Sequence, residues 1–247
     1  MPSDAHGPTR LTYGEDASQW VDRYDSDGAS RGTVIVIHGG FWKSAYAADL
    51  GAPLALDLAA RGWTGLNVEY RRVGNGGGFP ATFDDIHAAI NLADSQGPVV
   101  TLGHSAGGHL AVWAAAREGF DEWADGVGVT HALSQAGVVD LTAAYDEDLG
   151  GGAVAALMGV GPDDPAYDLA DPIRHVPLKV PVWCLHAADD ADVPIGQSRD
   201  YVRAATEAGG TAELVEVTGG HFDLIDTSTV AWRTIVEILD SISPAAG

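Results

Sequence analysis

A serine stands between two glycines in Gly103-His104-Ser105-Ala106-Gly107. It follows an apolar, β-branched run, Pro98-Val99-Val100-Thr101-Leu102, and precedes an alanine-rich stretch over 106–117. A buried strand that turns sharply into a helix needs small residues on both sides of the turn. Such a turn lifts the Ser105 hydroxyl above the sheet and aims the first N–H groups of the helix at the reacting atoms. A hydroxyl is a weak nucleophile until a base takes its proton. Nine histidines are present. His221, in Gly219-Gly220-His221-Phe222-Asp223, is the one that follows the last strand read from the pattern. That places it where a loop could reach Ser105. Its orienting acid should follow the apolar run ending at His186, where Asp189, Asp190 and Asp192 are the candidates. Spacing alone leaves all three open.

A second motif, His38-Gly39-Gly40-Phe41-Trp42, follows another β-branched run, Thr33-Val34-Ile35-Val36-Ile37. Attack on a carbonyl creates a negative oxygen, and losing one preorganised N–H donor to it costs about 2.7–4 kcal/mol. The expected donors are the N–H groups of Gly40 or Phe41, paired with that of Ala106. His38 is expected to brace the loop rather than act as acid or base. Trp42 and His104 are candidates for lining a substrate pocket, with Phe41 alongside. His104 and His109 are spaced by five positions, which suits no shared helical metal site, and no zinc pattern occurs. No metal or cofactor is expected. Cys184, between Trp183 and Leu185, reads as a buried, inert thiol rather than a rival nucleophile.

These residues need elements to hold them. Strands are expected over 33–38, 63–70, 98–103, 135–140, 181–186 and 212–217. Helices are expected over 50–61, 83–93, 106–117, 197–208 and 226–242. Strands alternating with helices imply a mostly parallel sheet covered on both faces. Residues 10–13 and 19–24 could add an antiparallel hairpin at one edge. The stretch 141–178 breaks the rhythm with Gly150-Gly151-Gly152, Pro162, Pro165, Pro172 and Pro177. It reads as a small helical cap inserted in a single domain spanning 1–247.

The chain has 247 residues, 46% of them hydrophobic and 19% charged, which suits a globular fold. Its net charge of −22 opposes nucleic-acid binding, which needs basic patches. No apolar run is long enough to span a bilayer, so no membrane partner is expected. Residues 1–10 lack the layout of a secretory signal, and a single cysteine excludes an internal disulfide. The cytoplasm is the simplest expected location, and a homodimer stays open.

The HGGFW motif at 38–42 and GHSAGGHL at 103–110 resemble the α/β-hydrolase superfamily, and more narrowly its kynurenine formamidase and small carboxylesterase group. The segments Asn67-Val68-Glu69-Tyr70-Arg71-Arg72, Gly76-Gly77-Gly78-Phe79-Pro80-Ala81-Thr82 and Asp171-Pro172-Ile173 are similar to those of related acyl hydrolases. In that wider group the acid lies four positions after the strand-ending histidine, which implies Asp190, with Asp189 in reserve. The resemblance implies an α/β-hydrolase fold and a Ser105–His221–Asp190 triad. It implies acyl transfer on a small ester or amide, as in a carboxylesterase or an arylformamidase acting on N-formylkynurenine. A peptidase, or a non-catalytic binding protein on the same fold, is the alternative.

Overall fold

The computed structural model describes residues 7–242; residues 1–6 and 243–247, including most of the polar stretch read for targeting, lie outside the described residues. Eight strands form one sheet: β1 (Thr9–Thr12), β2 (Trp20–Tyr24), β3 (Thr33–Ile37), β4 (Thr64–Glu69), β5 (Val99–His104), β6 (His131–Gln135), β7 (Val182–Ala187) and β8 (Ala212–Val217). Their spatial order is β1-β2-β4-β3-β5-β6-β7-β8. β1 and β2 form the expected antiparallel hairpin, and β2 also runs antiparallel to β4. All other pairings are parallel.

Strand β3 shows why the sheet must be covered twice. Its five residues are all buried. Val34 and Val36 face one core, with Leu54, Leu58, Trp232 and Leu239. Ile35 and Ile37 face the other, with Phe83, Leu110 and Trp113. Side chains alternate across a strand, so a strand buried at every position needs a helical layer on each face. Helices α1 (Ala52–Ala60) and α8 (Val230–Ser241) supply one layer. Helices α2 (Ala81–Ile90) and α3 (Ala106–Ala116) supply the other, extended by α7 (Gly196–Glu207).

Residues 106–114 of α3 are all buried, because the helix lies between the sheet and the segment 141–178. That segment holds three short helices, α4 (Leu141–Asp146), α5 (Ala153–Met158) and α6 (Tyr167–Ala170), then a 3-10 turn at Pro172–His175. The buried Asp171 carboxylate accepts the Leu141 N–H at 2.8 Å and the Thr142 N–H at 3.1 Å, closing the segment on itself. His109 and Trp113 on α3 donate to the carbonyls of Ala170 and Leu169 at 2.9 and 2.8 Å, so the segment is fastened to α3.

The fourth central strand differs from expectation. It occupies His131–Gln135, and 136–140 form a loop. Ala136 takes φ 49°, which ends the strand. Val138 and Val139 are buried in that loop, and burial without ladder pairing imitates a strand in sequence.

Candidate active site

The candidate residues collect where β3, β5, β7 and β8 end, at the carboxyl edge of the sheet. Ser105 follows β5 with φ 55° and ψ −119°, a conformation rare for a residue with a side chain. The turn is held by the Ser105 N–H, which donates to the Gln135 carbonyl at 2.8 Å. Close packing explains its two glycines. A Cβ on Gly103 would fall 1.9 Å from the Gly107 carbonyl oxygen, and one on Gly107 would fall 2.1 Å from that of Ile37.

His221 opens a 3-10 turn, His221–Ile225, after β8. Its Nδ1–H donates to Asp190 Oδ2 at 2.7 Å. A carboxylate can only accept here, so Nδ1 carries a proton, which in the neutral ring is the tautomer that leaves the lone pair on Nε2. Asp190 Oδ1 accepts the N–H groups of Asp192 and Val193, each at 2.9 Å. Burial pushes the Asp190 carboxyl up, but the bond from His221 and those two N–H groups outweigh it and hold it below the usual range. Asp189 and Asp192 are exposed. Of the three acids the sequence left open, Asp190 is the one hydrogen-bonded to His221.

His104 fixes the height of the His221 loop. Its Nε2 donates to the His221 carbonyl at 2.9 Å, and the two rings lie 4.5 Å apart between centroids. Burial, with the neighbouring His221, drives the His104 pKa down to about 3, so its ring is neutral at pH 7. Below it, Gln135 Nε2 donates to the Leu224 carbonyl at 2.6 Å, and Asp223 accepts the Gly220 N–H at 2.7 Å. Ser105 and His221 are thus neighbours through His104, although no hydrogen bond joins the hydroxyl to the imidazole. Both are nearly closed off, at 2% and 5% exposure.

The loop after β3 lies against the serine: a Cβ on Gly39 would stand 3.0 Å from Ser105 Cβ. Gly40, Phe41 and Trp42 take φ values of 109°, 51° and 54°. Two of these are not glycine, and each such residue costs about 1–3 kcal/mol unless its surroundings hold it. Among the described residues, the N–H groups of Gly40, Phe41 and Ala106 have no hydrogen-bond acceptor. They are free to receive an anion.

Trp42 and His104 do not line an open pocket as expected. Trp42 is 1% exposed and packs edge-on against His109, 5.3 Å between ring centroids. His104 is committed to His221. Tyr46, packed against Gly40, is 44% exposed. Phe222 is 59% exposed, with its ring perpendicular to that of His221 at 5.3 Å. Its only signal in the sequence was its place beside His221. For a metal, Asp190, Asp192 and His221 could bring ligand atoms within 4.8 Å of one another. A cation there would have to replace the Asp190–His221 bond. Cys184 is buried, and burial raises its thiol pKa to about 12, which keeps it inert.

Comparison with known proteins agrees with this architecture. The profile of the BD-FAE family matches residues 24–204. Esterase LipC of Mycobacterium tuberculosis is 27% identical over 243 residues, covering 88% of this chain and 60% of its own length. The chain therefore spans about three fifths of that relative. The native structure of esterase Est2 from Thermogutta terrifontis superposes with a TM-score of 0.76 at 20% identity, covering 97% of this chain and 92% of that one. A phosphonate-inhibited esterase B from Lactobacillus rhamnosis superposes with a TM-score of 0.81 at 21% identity, covering 98% and 86%. Strand order, the turn at Ser105 and the match over 24–204 converge on one statement: this chain has the α/β-hydrolase fold and belongs to the BD-FAE family.

Proposed function

We propose that the protein is a serine hydrolase of the carboxylesterase type, acting on small esters through an acyl-enzyme. The observation that carries this reading is the 2.7 Å bond from His221 to Asp190, set beside a serine held at φ 55°. His221 Nε2 takes the Ser105 proton as the hydroxyl attacks the ester carbonyl. Asp190 stabilises the imidazolium that results. The N–H groups of Gly40 or Phe41 and of Ala106 receive the oxyanion. His221 then returns the proton to the leaving alcohol, and water releases the acid by the same route in reverse. The exposed Phe222 ring offers a surface to the alcohol portion. The LipC and Est2 relatives, both named as esterases, support the ester class. An Est2 structure with butyrate bound points to short acyl chains.

The test compares kcat/KM for p-nitrophenyl acetate and butyrate with that for N-formylkynurenine. Esters turned over at least tenfold better are the expected result. The reverse preference would make the enzyme an arylformamidase, the class the HGGFW motif also resembles. A fluorophosphonate probe should label the wild type and not Ser105→Ala, whose kcat should fall by about 10⁴-fold or more. A folded wild type that neither labels nor hydrolyses any of these substrates would point to a binding protein.

A further inference from the structure

The segment from Asn67 to Arg72 has no part in the chemistry above, yet it runs directly beneath the oxyanion loop. Tyr70 is buried, and its ring stacks on that of His38 with centroids 4.5 Å apart and planes 21° apart. Its hydroxyl donates to the His38 carbonyl at 2.9 Å. Glu69 and Arg72 form a buried ion pair at 2.6 Å. Glu69 also accepts the Ala48 N–H at 2.8 Å, and its Oε1 lies 3.7 Å from His38 Nε2. The His38 ring is therefore held by Tyr70 across its face, while Glu69 stands near its edge beyond hydrogen-bond distance and braces the backbone at Ala48.

That ring makes one bond of consequence. His38 Nδ1 lies 2.8 Å from the Gly39 carbonyl oxygen. A carbonyl only accepts, so Nδ1 carries the hydrogen. The Gly39 carbonyl and the Gly40 N–H belong to the same planar peptide unit and point in opposite directions. Holding one aims the other. The next unit is treated likewise: the Lys43 N–H donates to the Gly40 carbonyl at 2.9 Å, which aims the Phe41 N–H.

We propose that His38, held by Tyr70, is a positioning residue that aims the Gly40 N–H at the oxyanion through the Gly39 carbonyl. This rests on the esterase reading and on the assignment of the oxyanion donors. It gives the Asn67–Arg72 segment a part in the rate and not only in the fold.

The experiment measures kcat and KM for p-nitrophenyl acetate per active site, with sites counted by a stoichiometric phosphonate titrant. His38→Ala should lower kcat at least tenfold, equal to about 1.4 kcal/mol of barrier, and leave KM within twofold. His38→Asn, whose amide nitrogen can stand near the place of Nδ1, should recover most of that loss. Tyr13→Phe is the control. It removes a bond to the Glu69 backbone carbonyl and leaves both hydrogen bonds of His38 in place, so it should lower the melting temperature without changing kcat. If His38→Ala does not fold, Tyr70→Phe replaces it, losing the bond to the His38 carbonyl but keeping the stacked ring, with a severalfold drop in kcat expected. A His38→Ala kcat within twofold of wild type, or a loss that His38→Asn does not recover, overturns the proposal. An inactive, unlabelled wild type would instead overturn the esterase reading on which it stands.

Discussion

Asp190 divides two tasks between its two oxygens. Oδ1 is anchored by the N–H groups of Asp192 and Val193, and this turns Oδ2 toward His221. An amide at this position could present N–H to the imidazole and favour the wrong tautomer. Asp190→Asn should therefore lower kcat by about 10⁴-fold with little change in KM. Asp189→Asn and Asp192→Asn, both at exposed positions, should stay within about twofold of wild type. Steady-state kinetics on the three variants decides the matter. In the sequence, Ser105 and His221 were visible because each has glycines within two positions and each follows a recognisable strand. The acid was not separable by spacing, since three carboxylates share four positions; only the folded loop distinguishes their oxygens. Glu69 and Arg72 were further from view. Opposite charges three apart at a strand end read like a solvated surface pair, and they are buried here because the backbone of residues 46–48 folds over them. Trp42 misled in the other direction. An aromatic beside an oxyanion motif suggested a pocket wall, but its left-handed backbone turns it into the core against His109.

At the scale of elements, the strand-to-helix turn depends on the approach of three segments. Gly107 packs against the end of β3 with no room for a methyl group, and the atoms it would meet are backbone. Backbone cannot yield as a side-chain tip can. Gly107→Ala should cost about 3 kcal/mol in urea unfolding, at the upper end of overpacking penalties. Gly119→Ala, with nothing within 4 Å of its added Cβ, should stay within about 0.5 kcal/mol of wild type. The turn was legible in the sequence because one of the clashes it avoids, between Gly103 and Gly107, acts between near neighbours along the chain. The position of β6 was not. Ser134 and Gln135 are buried polar residues inside a central strand, where pattern reading expects apolar ones. Gln135 takes that place because its side chain holds the Leu224 carbonyl and its own carbonyl holds the Ser105 N–H. A residue serving the site thus disguised the strand that carries it.

Across the whole molecule, the βαβ rhythm and the edge hairpin could be read from period and turn signals. The strand order could not, because the pairing of β2 with β4 joins segments far apart in sequence. Among the described residues, no helix is long and apolar enough to cross a membrane. Acid sensitivity is also a property of the assembled fold. Burial lowers the pKa of His104 to about 3 and of His109 to about 4. In the unfolded chain both bind a proton near pH 6.5. Below that pH the unfolded state gains protons that the folded state refuses, so stability falls as pH drops. Each histidine contributes at most about 1.4 kcal/mol per pH unit. Asp190, with its lowered pKa, adds to the loss only at more acid pH, near the carboxylate range. The thermal midpoint should be level above pH 7 and decline from pH 6.5 to 5, and His109→Gln should make that decline shallower. A midpoint unchanged across this range would show that these rings accept protons in the native state.

Every group assigned to the chemistry leaves the sheet at the same edge. The loop before β5, with Ser95 and Gln96 exposed, lies at the opposite one. Six strand residues separate it from Ser105, or about 20 Å of extended chain. That loop is the natural place to open the chain for circular permutation or to splice in a reporter domain, because cargo attached there would sit behind the sheet, away from the path a substrate takes.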